Sequence, residues 1–236
     1  MSDDIHEVYA VRYAEHARMR SENYIFGDPH DAMTSIAYYV WVIKGPHGTF
    51  VCDTGFDQTA AQERGRKIIH PVDEGLKALG LAPEKVDHVI ATHMHWDHAG
   101  NYDMFPNARY HIQDTEMAYA TGRCMCHHTL RIPFSERDVH AMVSKVFANR
   151  CEFHDGPEEL VPGISVHKIG GHSRGLLRAT RMVLPHAAAA GLLAIYQSPT
   201  LTPNDPRYLA AVEDSLREVR ALDVVARVTT PAENPR

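Results

Sequence analysis

The chain has 236 residues, 44% of them hydrophobic and 23% charged, with a formal charge of −6. This length supports a full core in one large domain, and the composition is that of a globular protein. The negative balance and the absence of a basic run argue against a nucleic-acid partner. No apolar run approaches the ~20 residues that span a bilayer, so no membrane association is expected.

The N-terminal stretch MSDDIHEVYAVRYAEH is acidic and has no apolar core of a secretory signal. Cys52, Cys124, Cys126 and Cys151 are too few for a disulfide scaffold, so reduced thiols and a cytoplasmic location are expected. Histidine is the outlying residue: 16 of the 17 lie before residue 176.

In chain order, SIAYYVWVI (35–43), the turn signal GPHG (45–48) and TFVCDTGF (49–56) read as a β-hairpin. PVDEGLKALGL (71–81) reads as a short helix, with Pro71 at its start and Gly80 at its end. KVDHVIAT (85–92) and ARYHIQ (108–113) are strands, DTEMAYAT (114–121) and ERDVHAMVSKVF (136–147) helices, and GISVHKIGGHSRG (163–175) a strand entering a glycine turn. NDPRYLAAVEDSLREVRAL (204–222) has the apolar spacing of an amphipathic helix, and VVARV (224–228) could follow as a strand. Alternating strands and helices, with a hairpin among them, predict an α/β layered fold.

The segment THMHWDHAGN (92–101) carries the chemistry. His93 and His95 are two apart, so an extended or tightly turned backbone can aim both rings to one side. Asp97 and His98 follow as the chain turns, toward a neighbouring point. Two adjacent points with nitrogen and oxygen ligands suit two zinc-like cations, which about 3.5–4 Å apart can share and deprotonate one water. The other reading is a His-rich surface loop. Similarly, RCMCHH (123–128) could be a separate metal site, but its Cys-x-Cys spacing is short for structural zinc and no second ligand pair is evident. Cys52 and Cys151, and the aromatics Tyr24, Phe26, Tyr38 and Tyr39, are expected mainly in core packing.

THMHWDHAGN matches the HxHxDH signature of the metallo-β-lactamase fold, and VCDTGF and IGGHSRG resemble its flanking motifs in the right order. With YYVWVI, DTGFD, MAYATGRCMCH and GGHSRGL, the chain resembles the N-acyl homoserine lactonase-like branch from residue 6 to about 177. The resemblance implies an αβ/βα sandwich in a single domain over 1–236, with 178–236 as an atypical tail. It implies that His93, His95 and His172 bind one zinc, that Asp97 and His98 contribute to a second, and that Asp97 also passes a proton to the departing alkoxide. Asp53 would orient ligands, and RCMCHH would be a loop over the active site. The implied activity is metal-dependent opening of a lactone, with an N-acyl homoserine lactone, a quorum signal, as the small-molecule substrate. The rivals are another hydrolase on this fold, acting on a thioester, β-lactam or phosphodiester, and an inactive metal-binding protein.

The family pattern also implies two ligands after His172: an aspartate bridging both metals and a histidine near the C-terminus. Here the chain reads AAAAGLLAIYQSPT (187–200) and VVARVTTPAENPR (224–236). From residue 176 there is one histidine, one glycine and no Cys, Phe or Trp, while eleven of 61 residues are alanine. Composition and ligands change together, as a frameshifted or truncated gene would produce; the rival is a natural variant with an altered site. The expectation is therefore two zinc ions from the family, or one here. His186, Asp205, Asp214 and Asp223 are the remaining substitutes, and Tyr196 falls near the position of a family tyrosine. The oligomeric state is not legible.

Overall fold

The computed structural model describes residues 6–23, 28, 30–181 and 227–228. Two sheets lie face to face. Among the described residues the larger has eight strands and the smaller three. In the larger sheet, β1 (Glu7–Met19), β2 (Met33–Gly45) and β3 (Gly48–Cys52) run antiparallel to their neighbours in turn. β4 (Lys67–Ile68) joins β1, and β5 (His88–Ile90), β6 (Arg109–Gln113) and β7 (Cys151–His154) continue from β3 in parallel. The smaller sheet is an antiparallel set of β8 (Glu158–Val161), β9 (Ile164–Lys168) and β10 (Leu177–Arg181).

Side-chain alternation divides the core into two layers. Phe50 and Cys52 of β3 and Ile90 of β5 face Ile164, Val166 and Leu177 of the smaller sheet. Val51 and Val89, between them in sequence, face the other way, in one cluster with α1 (Gln58–Glu63), α2 (Val72–Ala78) and α6 (Glu136–Phe147). Those helices insert Ala60, Ala61, Val72, Leu76 and Met142. The result is a mixed α/β sandwich, as expected.

Most sequence-predicted elements form. The hairpin closes through Pro46 and His47, with Gly45 opposite Gly48. It ends at Cys52 rather than residue 56, because Asp53 adopts a left-handed φ of 62° and takes the chain out of the sheet. The helix expected over 71–81 stops at Ala78, two residues before Gly80 with its φ of 71°. The strand expected over 85–92 is only His88–Ile90, since Pro83–Lys85 form a 3-10 turn. The helices Asp114–Thr121 (α4) and α6 match their expected bounds.

β1 had no counterpart in the sequence reading, although it is among the longest strands. Its burial does not alternate cleanly, and it is fixed by pairing with β2. The register shifts between Arg12 and Ala14, leaving Tyr13 as a bulge residue inside the core. Cys52 is buried and Cys151 half-buried against the core, and Tyr38 packs there too. Tyr39, by contrast, lies beside Trp41 and is exposed. Tyr24 and Phe26 fall outside the described residues, as do the helix expected over 204–222, His186, Tyr196, Asp205, Asp214 and Asp223. Of the strand expected over 224–228, Arg227–Val228 (β11) is described and pairs in parallel with β1.

Candidate metal centre

The strand β5 delivers the chain to one end of the sheet, where Thr92, His93, Met94 and His95 form a tight segment entering α3 (Trp96–Ala99). Met94 points into the core with no exposed surface, and the flanking His93 and His95 share the opposite direction. Their ring centroids are 4.4 Å apart. His172 arrives from the far side, in the turn after β9. Gly170 and Gly171 make that turn with φ values of 70° and 92°, which side chains with a Cβ rarely adopt. His172 lies 5.1 Å from the His93 ring and 4.6 Å from the His95 ring. One ring nitrogen from each of the three lies within 4.8 Å of the others.

Hydrogen bonds orient these rings. Asp53 accepts from the Thr92 amide at 2.8 Å and from its hydroxyl at 2.8 Å. The hydroxyl, so committed as a donor, accepts from His93 Nδ1 at 3.1 Å. His93 Nε2 then carries the lone pair, and it is buried with no hydrogen-bond partner. A bare acceptor of this kind, facing two more imidazoles, fits a cation. Burial, reinforced by the charge of His98, drives His93 far below the ordinary histidine pKa. Burial and then His172 push His95 down to about 3. Both rings therefore present neutral nitrogens at physiological pH.

Asp97 and His98 sit on α3 beside this trio, with the His98 ring 4.1 Å from that of His93. His98 Nδ1 lies 2.7 Å from Asp53 Oδ2, and its Nε2 lies 3.6 Å from Asp97 Oδ2. Burial alone would lower the His98 pKa, but the Asp53 carboxylate, its hydrogen bond and Asp97 outweigh it and raise it to about 9. All five sequence-predicted ligands, and Asp53 behind them, are thus brought together. The Tyr13 hydroxyl donates to the Asp97 carbonyl at 3.0 Å, so the β1 bulge supports α3 from below.

Sequence reasoning missed Glu116. This carboxylate, in the first turn of α4, has no exposed surface. It accepts from the Met94 amide at 2.9 Å, from the Gly175 amide at 2.9 Å and from the Ser173 hydroxyl. It therefore ties the segment bearing His93 and His95 to the turn bearing His172. In sequence it is one more acidic residue in the first turn of a helix. The RCMCHH segment forms a 3-10 turn entering the short helix α5 (His128–Arg131), with Cys124 half-buried and Cys126 exposed. It is not among the groups that could hold a metal in the described residues. A shallow cleft lined by Ala60, Arg64, Trp96, Phe134, Arg137 and His140 adjoins the site through Phe134, whose ring lies 4.9 Å from that of His95.

A metallo-beta-lactamase superfamily model matches residues 35–178, which contain every residue of this centre. The chain belongs to the metallo-beta-lactamase superfamily. Within this superfamily it is similar to N-acyl homoserine lactonase AttM of Azorhizobium caulinodans, at 36% identity over 93 residues, 34% of this chain and 35% of that protein. It is also similar to N-acyl homoserine lactonase AiiA of Bacillus thuringiensis subsp. kurstaki, at 23% over 163 residues, 61% of this chain and 57% of that protein. These matches thus span about a third to somewhat over half of those relatives' length. Among solved structures, a quorum-quenching N-acyl homoserine lactone lactonase superposes with a TM-score of 0.62 at 18% identity, covering 94% of this chain and 90% of that one. An N-acyl homoserine lactone hydrolase with N-hexanoyl-L-homoserine bound at its catalytic metal centre superposes with a TM-score of 0.61 at 16% identity, covering 97% and 93%. At these identities the likeness is one of fold. No helix of the described residues is long and apolar enough to cross a membrane.

Proposed function

We propose that this chain is a zinc-dependent hydrolase that opens a lactone ring, with N-acyl homoserine lactones as the substrate class. The observation that carries the reading is the buried, unpartnered His93 Nε2 facing His95 and His172. The lactonase relatives supply the substrate class. In this reading His93, His95 and His172 hold one zinc, and Asp97 and His98 contribute to a second within a single domain. A bound zinc supplies Lewis acidity toward the carbonyl and lowers the pKa of a water.

The chain's own groups do the rest. Thr92 fixes the tautomer of His93, and Asp53 orients the ring of His98. Asp97, partly exposed beside His98, takes a proton from the attacking water in this reading and returns it to the ring oxygen as it leaves. Arg64 and Arg137, the cations of the adjoining cleft, are already engaged: Arg64 donates to the Ile132 carbonyl, and Arg137 pairs with Asp57 at 3.0 Å. A neutral lactone needs no such clamp, whereas a phosphodiester would.

The test is the zinc-loaded full chain with N-hexanoyl homoserine lactone, following acid release in a pH-stat, alongside elemental analysis. Turnover that disappears in His93→Ala supports the reading. Stoichiometric zinc without turnover overturns the lactonase assignment.

A further inference from the structure

A second histidine cluster lies across β5, β6 and β7, in side chains that the proposed chemistry does not use. His88 on β5, His111 on β6 and His154 on β7 form a ladder across three parallel strands. Their ring centroids are spaced at 5.2 and 5.3 Å, and Phe50 stacks on the outer face of His88 at 4.4 Å. The nitrogens are joined in sequence: His88 Nδ1 to His111 Nε2 at 3.0 Å, His111 Nδ1 to His154 Nε2 at 3.1 Å, and His154 Nδ1 to Glu158 Oε2 at 2.7 Å. Glu152 is the register partner of His111 and lies two residues before His154, so all three share a face. His111 and His154 are each only 2% exposed, whereas the Glu152 side chain is 41% exposed.

We infer that His111, Glu152 and His154 form a further binding site for a zinc-class divalent metal, sharing no residue with the centre around His93. Ring nitrogens of the two histidines and a carboxylate oxygen of Glu152 lie within 4.8 Å of one another. His111 Nδ1 is 3.1 Å from His154 Nε2 and 3.3 Å from Glu152 Oε2. A tetrahedral ion with bonds of 2.0–2.1 Å holds its ligand atoms about 3.3 Å apart, so these two edges already have the required length. The third edge closes by rotation of Glu152, whose side chain reaches the surface.

The surrounding groups complete the argument. A ligating imidazole needs a partner for its other nitrogen. His154 Nδ1 already donates to Glu158. His111 Nε2 faces His88 Nδ1, so moving the His111 proton from Nδ1 to Nε2 makes it a donor to His88. The His88 proton moves to its own Nε2 in turn, and no net proton is gained or lost. Glu152 Oε1 accepts from Arg109 at 2.8 Å, which leaves Oε2 toward the histidines. Both imidazoles and the carboxylate thus have an orienting partner in place.

Cobalt(II) is the probe, titrated into chelator-stripped full-length chain and read by visible d–d absorption and bound metal per chain. A His93→Ala/His95→Ala/His172→Ala variant is expected to retain one equivalent. Adding Glu152→Gln to it should weaken that equivalent about tenfold or more. Should circular dichroism show the triple variant unfolded, Glu152→Gln alone, an exposed change, decides: it is expected to bind one equivalent fewer than the wild-type chain at the same free cobalt. Identical stoichiometry and affinity in the wild-type and Glu152→Gln chains would overturn the site. A ladder that is only a hydrogen-bonded core feature gives that second result.

Discussion

Asp53 Oδ2 stands 2.7 Å from His98 Nδ1, and Asp53 holds that place with a φ of 62°. A non-glycine residue in the left-handed region is strained by its Cβ. Here the strain is offset by the Thr92 amide, by the Thr92 hydroxyl, whose single proton is shared between both carboxylate oxygens, and by the contact with His98. Asp53→Asn keeps the size of the side chain and removes its charge. It is expected to lower zinc affinity by about 10–100-fold, because an outer carboxylate sets both ring orientation and ligand basicity. Competition with a zinc-sensitive dye measures this, and unchanged affinity would remove Asp53 from the centre's support.

Glu116 predicts a mechanical coupling between the two halves of the centre. Glu116→Gln turns one of the acceptor oxygens into an NH2 donor facing amide or hydroxyl donors. A buried donor left unsatisfied costs about 1–3 kcal/mol. The variant should melt earlier in calorimetry, and it should bind zinc more weakly, since the His172 turn loses its anchor. Loss of stability with intact zinc affinity would confine Glu116 to a packing role.

Gly175 tests the same junction by sterics. A Cβ there would lie 2.2 Å from the Glu116 backbone nitrogen, an atom that cannot rotate away. Gly175→Ala is expected to cost about 1–3 kcal/mol through overpacking. The denaturant midpoint should fall with an unchanged slope.

Asp138 predicts a pH-dependent stability away from the centre. Its carboxyl is buried on α6, and burial raises its pKa from 3.8 to about 6 against the pull of Arg137. The folded chain therefore holds this proton over a range where the unfolded chain has released it. That contribution favours folding below the unfolded value and is lost as pH rises through about 6. Asp138→Asn should be more stable than wild type at pH 8 by up to about 3 kcal/mol, with the advantage vanishing near pH 4. Chemical denaturation at the two pH values checks the sign, and an equal difference at both would refute it.

The sequence revealed much of the centre because its ligands are dense along the chain. His93, His95, Asp97 and His98 fall within six positions, so one local turn is enough to aim them. His172 was legible only through the family resemblance of IGGHSRG, with Gly170 and Gly171 allowing the close backbone approach a ligand needs. Glu116 was not, because nothing about an acidic residue in a helical first turn signals that its carboxylate will be walled in by two loops. The ladder of His88, His111 and His154 was equally hidden: the three are 23 and 43 residues apart, and only the parallel register of β5, β6 and β7 aligns them.

The sequence by itself determined the α/β class, the hairpin, the bounds of α4 and α6 and the ligand-rich turn, since each rests on residues within a few positions of one another. Only the tertiary structure decided that β1 forms, that Tyr13 bulges inward beneath Asp97, that Glu116 clamps the His172 turn and that three distant histidines line up across β5, β6 and β7. Those relationships depend on register between strands and on burial of charge. Both are set by contacts between segments far apart in the chain, and neither leaves a periodic mark in the local sequence.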